Sequence, residues 1–155
     1  MPKLYRSSAA TGRKPTPYPP SAGVAVAVPF TFTVTSALAA GDIIEIGTLP
    51  AGATLADATL VTDDLDTNAT PTVVLDVGLM SGEAGVSDAS RTCGNELFAA
   101  SNIGQTGGSA RMSKLEGFRL VPDPQKHRGI GVKVVTPPAT PALNTTIGLI
   151  AWIVM

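Results

Sequence analysis

Residues 24–35 read V-A-V-A-V-P-F-T-F-T-V-T, and this stretch decides the fold class. Large apolar side chains alternate with small or polar ones, and a period of two is typical of a half-buried β-strand. The even-numbered positions from Val24 to Val34 would form the buried face, and the threonines would form the other. Pro29 cannot donate a ladder hydrogen bond, so it predicts an edge strand or a bulge.

Similar short runs continue along the chain, separated by Gly- and Pro-rich turns such as Ala40-Gly41-Asp42 and residues 49–53. Residues 147–154 are apolar on both faces, as expected of a central strand or of one covered by a partner. About eight strands and no convincing amphipathic helix predict an antiparallel sandwich or barrel. Besides 24–35, the predicted strands are 43–46, 54–62, 72–80, 118–121, 130–134 and 147–154, with 95–100 as a short helix or strand.

The composition fits one soluble domain of 155 residues. Hydrophobic residues make up 44% and charged residues only 15%, against about 25% in typical soluble domains. Such a surface suits burial against neighbouring subunits. The longest apolar run, residues 147–155, is shorter than the roughly 20 residues that span a bilayer. The first residues lack the apolar stretch of a signal peptide. We therefore expect a protein made in a cytoplasm, with no membrane partner.

The N-terminal segment differs from the rest in composition. Prolines recur at positions 15, 17, 19 and 20, and proline excludes helix and central strand. We predict an extended arm over residues 1–22 and a single β-domain over residues 23–155. Both tyrosines lie in this arm, and aromatic residues in a polar tail indicate docking. The candidate partner-binding residues are Tyr5, Arg6, Arg13, Lys14, Pro17 and Tyr18.

The net charge of -1 conceals a segregation of charge along the chain. Residues 1–20 carry four bases and no acid, and residues 42–96 carry ten acids against one base. Residues 97–155 carry six bases against two acids. This pattern either steers subunits together or reflects chance.

Catalytic and metal chemistry have few candidate residues. The single histidine, His127, lies between Lys126 and Arg128, which indicates an exposed turn, and the single cysteine, Cys93, has no evident base. One Cys and one His cannot form an ordinary zinc site. The loop from Asp63 to Asn68 fits either half of a calcium loop or a turn whose side chains cap the backbone. We predict no enzyme activity, no cofactor and no metal, and we favour the capped turn.

Nucleic acid is not an expected partner. Aromatic residues make up only 5% of the chain and the net charge is slightly negative, whereas nucleic-acid binding needs a basic patch. The four bases of residues 1–20 would give a weak and salt-sensitive phosphate contact.

Four segments together resemble a known family. Residues 41–66 read G-D-I-I-E-I-G-T-L-P-A-G-A-T-L-A-D-A-T-L-V-T-D-D-L-D, and residues 70–82 read T-P-T-V-V-L-D-V-G-L-M-S-G. Residues 102–111 read N-I-G-Q-T-G-G-S-A-R, and residues 128–140 read R-G-I-G-V-K-V-V-T-P-P-A-T. Over residues 24–155 this order resembles the small jelly-roll decoration or cement proteins of tailed-phage capsids. The arm is not part of the resemblance.

The resemblance implies a jelly-roll sandwich on the capsid exterior, made in the host cytoplasm. It further implies a homo-dimer or homo-trimer that bridges adjacent major capsid protein subunits. A second hypothesis is a receptor- or glycan-binding jelly-roll of a head fibre or tail. A third hypothesis, an enzyme using His127 or Cys93, has no substrate to propose.

Overall fold

The structure is a computed structural model, and it describes residues 2–15, 23–121 and 123–155. Within these ranges the chain is almost entirely β-structure, with one four-residue helix and one 3-10 turn at Ile103–Gln105. The strands are β1 (Leu4–Arg6), β2 (Ala25–Val34), β3 (Ile43–Leu49), β4 (Thr54–Thr62), β5 (Val74–Leu79), β6 (Phe98–Ser101), β7 (Gly108–Arg111), β8 (Arg128–Thr136) and β9 (Thr145–Val154), and the helix is α1 (Leu115–Phe118).

The strands form two sheets that pack as a sandwich. The five-stranded sheet has the order β1-β3-β8-β5-β6, and the four-stranded sheet has the order β2-β9-β4-β7. Strands β2 to β5 alternate between the sheets, and every pair is antiparallel except β1 with β3. This arrangement is a jelly roll, and the predicted all-β sandwich is confirmed.

The alternation in the opening stretch matches the burial in β2 except at its start, where Val24 precedes the strand and is exposed and Val26 is half-buried. Val28, Phe30 and Val34 are buried, whereas Thr31 and Thr33 are exposed. Pro29 lies in an edge strand whose register against β9 is continuous, so the edge interpretation holds and the bulge does not. Between the sheets, about thirty apolar side chains form one core, and each buried Val, Leu or Ile contributes about 1.5–3 kcal/mol.

Two local predictions differ from the structure. Residues 118–121 are not a strand: Phe118 ends α1, and the following residues turn at Arg119 and pair with no strand among the described residues. Strand β7 was not predicted, since Gly-Ser-Ala-Arg has no strand-forming side chains. Its ladder with β4 fixes it as a strand. Strand β6 (Phe98–Ser101) begins within the region 95–100, for which a short helix or strand is predicted, so the strand alternative holds from Phe98 onward.

The N-terminal residues belong partly to the sandwich. Leu4–Arg6 pairs in parallel with Ile43–Glu45 at the edge of the five-stranded sheet. The Lys3 backbone N–H donates to Asp42 Oδ1 over 2.7 Å, and the Ile43 N–H donates to the Lys3 carbonyl over 2.9 Å. The start of the predicted arm is thus an edge strand, which the sequence analysis did not predict.

Candidate functional site

The six candidate partner-binding residues fall into three groups. Tyr5 and Arg6 lie half-buried in β1, where the Tyr5 ring centroid is 6.1 Å from that of Phe32. The Arg6 guanidinium donates to the Gly85 carbonyl, so both side chains contact this chain itself. Arg13 and Lys14 are exposed. Pro17 and Tyr18 lie outside the described residues, as do Pro19 and Pro20.

An ordered turn presents the two exposed bases. The Thr11 N–H donates to the Ser7 carbonyl over 3.0 Å, and the Lys14 N–H donates to the Ser8 carbonyl over 3.0 Å. Ala10 is buried, and the Ser7 hydroxyl donates to the Ile46 carbonyl. Arg13 and Lys14 therefore sit on a fixed surface that follows β1 rather than on a free tail.

The outer face of the five-stranded sheet is covered by residues 80–96, and we call it the covered face. The covering segment lies so close to the sheet that only glycine fits beneath it. A Cβ on Gly131 would lie 2.7 Å from Cys93 Sγ, and one on Gly78 would lie 2.5 Å from the Gly94 carbonyl carbon. Contacts this short are repulsive, so these glycines are required by the close approach of backbone and side chains.

A buried ion pair holds the covering segment to the sheet. Arg91 Nη2 lies 2.9 Å from Glu45 Oε1, and the two side chains are 3% and 0% exposed. The same Glu45 oxygen accepts the Gly85 N–H over 3.1 Å, and Arg91 also donates to the Ser81 and Val86 carbonyls. Glu45 Oε2 is buried without a hydrogen-bond partner among the described residues. Arg91 thus compensates most of the cost of burying a carboxylate.

The outer face of the four-stranded sheet lacks such a cover along the described chain, and we call it the bare face. Asp57 and Arg111 pair with each other over 2.7 Å at one corner, and Asp63 lies at the opposite end of the strands, where it accepts the Thr146 N–H over 2.7 Å. The other outward side chains are small, apolar or threonine. In register order they are Ala25, Ala27, Pro29, Thr31 and Thr33 on β2, Thr146, Gly148, Ile150, Trp152 and Val154 on β9, and Thr59 and Val61 on β4.

The bare face has a projection, Trp152, and two depressions, one beside Trp152 that Thr59 and Arg111 help to line and one over Gly148. Trp152 is 40% exposed although it lies on a central strand. Four residues earlier, Gly148 leaves a mainly apolar groove of about 280 Å³, which Thr31, Val61 and Ile150 help to line. A Cβ on Gly148 would have its nearest neighbour 3.5 Å away, so the chain itself does not require glycine there.

His127 and Cys93 have separate surroundings. Nδ1 of the exposed His127 accepts the Ala51 N–H over 3.0 Å, which agrees with the predicted exposed turn. Cys93 belongs to the covering segment and faces the sheet, and its burial there raises the pKa of the thiol to about 12. A thiol with so high a pKa is protonated at neutral pH and is a poor nucleophile.

The acidic loop uses its carboxylates to cap backbone groups. Asp66 is 1% exposed and accepts N–H groups of Thr72, Ala139 and Thr140 over 2.7–2.8 Å, with a longer bond from Asn68. Burial alone would raise the pKa of Asp66, but these four donors together hold it well below its usual range. The loop therefore has the geometry of the capped turn. No group of three or more metal-ligating side chains occurs in the described ranges.

No helix in the described part of the chain has the length and apolar character to cross a membrane.

Comparison with known proteins gives matches to solved structures. No family model and no curated protein matches the chain. A chain in the capsid of Ralstonia phage GP4 is 49% identical, with a TM-score of 0.95 over 98% of this chain and 97% of that one. A chain of the cyanophage Pam1 capsid asymmetric unit is 27% identical, with a TM-score of 0.68 over 92% and 94%. A chain of the acid-stable capsid of Helicobacter pylori bacteriophage KHP30 shares the fold at 14% identity and a TM-score of 0.55, over 87% and 90%.

Proposed function

This chain belongs to a family of phage capsid proteins, and we propose that within the virion it is a decoration (cement) protein. In this role it sits on the capsid exterior as a homo-dimer or homo-trimer and bridges adjacent major capsid protein subunits. The observation that carries the family assignment is 49% identity over nearly the full length of a chain in the GP4 capsid. The capsid neighbours also fit a structural rather than an enzymatic role.

The decoration role is supported by the way the molecule completes its own fold. Strand β1 closes one edge of the five-stranded sheet, and the core lies within one chain. A subunit that folds alone is suited to bind a shell that has already formed. The resemblance of residues 41–66 to capsid cement proteins points the same way.

We propose that the N-terminal edge makes one of the capsid contacts. Arg13 and Lys14 are exposed on the ordered turn, and the Pro-rich stretch with Pro17 and Tyr18 follows directly. Tyr5 and Arg6 would support this edge through their contacts with Phe32 and Gly85. Basic groups on a rigid turn suit an acidic patch on a partner and lose little entropy on binding.

The test is co-sedimentation of the purified protein with capsids that lack it. We expect saturable binding with a fixed copy number per capsid, and capsids that tolerate higher temperature after binding. The variant Arg13→Ala/Lys14→Ala should bind at least tenfold more weakly and show less salt dependence, because two charges are removed.

The matched control is Arg119→Ala/Lys126→Ala, which removes two exposed bases elsewhere and should bind like the unmodified protein. Absence of binding to capsids would overturn the decoration role. Equal weakening of both double variants would mean that net charge, and not the N-terminal edge, governs the contact. A saturable glycan ligand without capsid binding would favour the receptor-binding alternative.

A further inference from the structure

We propose that the bare face is an interface between two copies of this chain, in which Trp152 of each copy fills the groove over Gly148 of the other. The dimer interface is inferred from the bare face alone, and only the role of the dimer in the capsid rests on the proposed function. It specifies which surface joins the copies and which side chains fix their register.

The bare face is complementary in shape to a second copy of itself. Trp152 projects and Gly148 is recessed on the same strand, and their Cα atoms are about 13 Å apart at roughly 3.3 Å per residue. Ile150 lies midway between them. A two-fold axis in the interface plane, running across the strands at Ile150, stacks β9 antiparallel on its counterpart. It sets each Trp152 opposite the other copy's Gly148 and each Ile150 against itself, so one operation satisfies both features.

The bare face is large enough to join two copies. Strands of ten, ten, nine and four residues about 4.8 Å apart give a surface of roughly 500 Å². A standard stable interface buries about 800 Å² on each partner. The bare face is therefore of the right order to hold two copies together, with Trp152 as an aromatic anchor of the kind enriched at interface centres.

The bare face carries little net charge. Asp57 and Arg111 neutralise each other, and the carboxylate of Asp63 at the rim of the groove accepts the Thr146 N–H. A neutral surface rich in threonine and small side chains can stack on its own copy without charge repulsion. Sheets that pack face to face in this way are about 10 Å apart and interdigitate their side chains.

The groove gives a substitution that tests the interface with little effect on the monomer. Gly148→Val adds a strand-forming side chain at a position where the first added atom has ordinary contacts, and it fills the site proposed for Trp152. We expect the unmodified protein to sediment as a dimer and both Gly148→Val and Trp152→Ser to dissociate at least tenfold more readily. The control Val135→Ser removes an exposed apolar side chain from the other sheet and should leave the dimer intact.

Cross-linking tests the register. With Ile150→Cys, a bis-maleimide of about 10 Å reach should join two copies across the axis, since packed sheets lie about 10 Å apart. With Thr33→Cys on the same face, about 13 Å from the axis, the paired thiols would be roughly 26 Å apart and should not be joined. Cys93 gives little background because its thiol is protonated and covered.

The outcomes are distinct. A dimer that Gly148→Val dissociates and Ile150→Cys traps supports the inference. A monomer at all practical concentrations overturns it, and so does a dimer indifferent to Trp152→Ser. The unmodified protein could instead be monomeric and lose capsid binding on Trp152→Ser. That result would overturn the dimer and show that the bare face binds a capsid subunit. A dimer that forms as described but binds no capsid leaves this inference standing and defeats the proposed function.

Discussion

The two outer faces of the sandwich differ in what lies over them: the chain itself covers one sheet, and the other sheet is open along the described chain. On the covered face, residues 80–96 lie over Gly78 and Gly131, and the buried Arg91–Glu45 pair holds them down. On the bare face the ion pair is exposed at a corner, and Gly148 has room above it. The same two features, an ion pair and a strand glycine, therefore serve the chain's own stability on one face and remain available to a partner on the other.

The difference shows how to assign a role to a glycine or an ion pair in a sheet. A glycine whose missing Cβ would overlap this chain is explained by this chain. A glycine with space above it, such as Gly148, is not explained by contacts within this chain. Its small size is then explained by a side chain of a partner. Burial distinguishes the two ion pairs in the same way. The buried Arg91–Glu45 pair is needed within this chain, because a buried charge must be compensated internally, whereas the exposed Arg111–Asp57 pair is not.

The largest expected effect comes from the two ion pairs. Arg91→Met leaves the Glu45 carboxylate buried without its partner, and we expect a loss of about 3–5 kcal/mol in the free energy of unfolding. Arg111→Met breaks a pair whose side chains are 76% and 16% exposed, and it should cost under about 1 kcal/mol. Urea unfolding of both variants measures the difference. Equal losses would remove the distinction between the faces.

A smaller effect is expected from the two glycines. Gly131→Ala places a methyl group against Cys93 and Met80, and overpacking of this kind costs about 1–3 kcal/mol. Gly148→Ala meets only ordinary contacts and should leave the stability unchanged or raise it by up to about 1 kcal/mol. Thermal and urea unfolding of the two variants side by side provide the measurement, and a destabilised Gly148→Ala would contradict the open groove.

Asp66, which lies at neither face, provides a reference for a buried charge satisfied by backbone donors alone. We expect Asp66→Asn to cost about 1–2 kcal/mol at neutral pH, because charge-assisted bonds become neutral ones. The pKa of Asp66 is depressed in the folded protein. Its stabilising contribution is therefore present above the unfolded pKa of about 3.9 and is lost as the pH falls toward the folded pKa.

The measurement for Asp66 is urea unfolding of the original and the variant between pH 7 and pH 2. The stability difference should be constant above about pH 5 and shrink below about pH 4, since the substituted amide does not titrate. A difference that persists unchanged at pH 2 would show that the carboxylate charge is not its source.

The last prediction concerns thiol reactivity and involves no change in stability. The pKa of Cys93 is raised to about 12 by burial, so its reaction with a disulfide reagent at pH 8 should be at least 100-fold slower than that of an exposed thiol. Ser109→Cys on the exposed edge of the bare face supplies that reference. Rapid labelling of Cys93 in the folded protein would mean that the covering segment opens readily.

Much of the fold follows from local pattern. The alternation of residues 24–35 and the turns at Gly41 and Gly52 predict β2, β3 and β4 with nearly the bounds that the structure has. Strands β1 and β7 could not be predicted, because their side chains do not alternate and only distant partners make them strands. Residues 118–121 show the converse, because their apolar side chains favour a strand but no partner strand lies beside them among the described residues.

The candidate surfaces were less predictable than the fold. The sequence points to a basic, Pro-rich N-terminus, and the structure describes Arg13 and Lys14 as exposed. Trp152 is a single aromatic residue within the apolar run 147–154, so the sequence does not mark it as a surface residue. The one sequence feature that indicates a surface there is that residues 147–154 are apolar on both faces. That pattern is expected both of a central strand and of a strand covered by a partner. Only the sheet order shows that the strand is central and still leaves Trp152 exposed.

The pairing of β2 with β9 has a consequence for how the protein is made. During synthesis, residues 25–34 emerge more than a hundred residues before residues 145–154, with which they form their ladder. Until then the alternating Val and Phe side chains of β2 are an unpaired strand able to associate with any neighbouring chain. Pro29 interrupts the donors of that strand, as prolines on natural edge strands do. We therefore expect Pro29, which lies on the edge strand, to lower the aggregation of the nascent chain in the interval between the synthesis of β2 and that of β9.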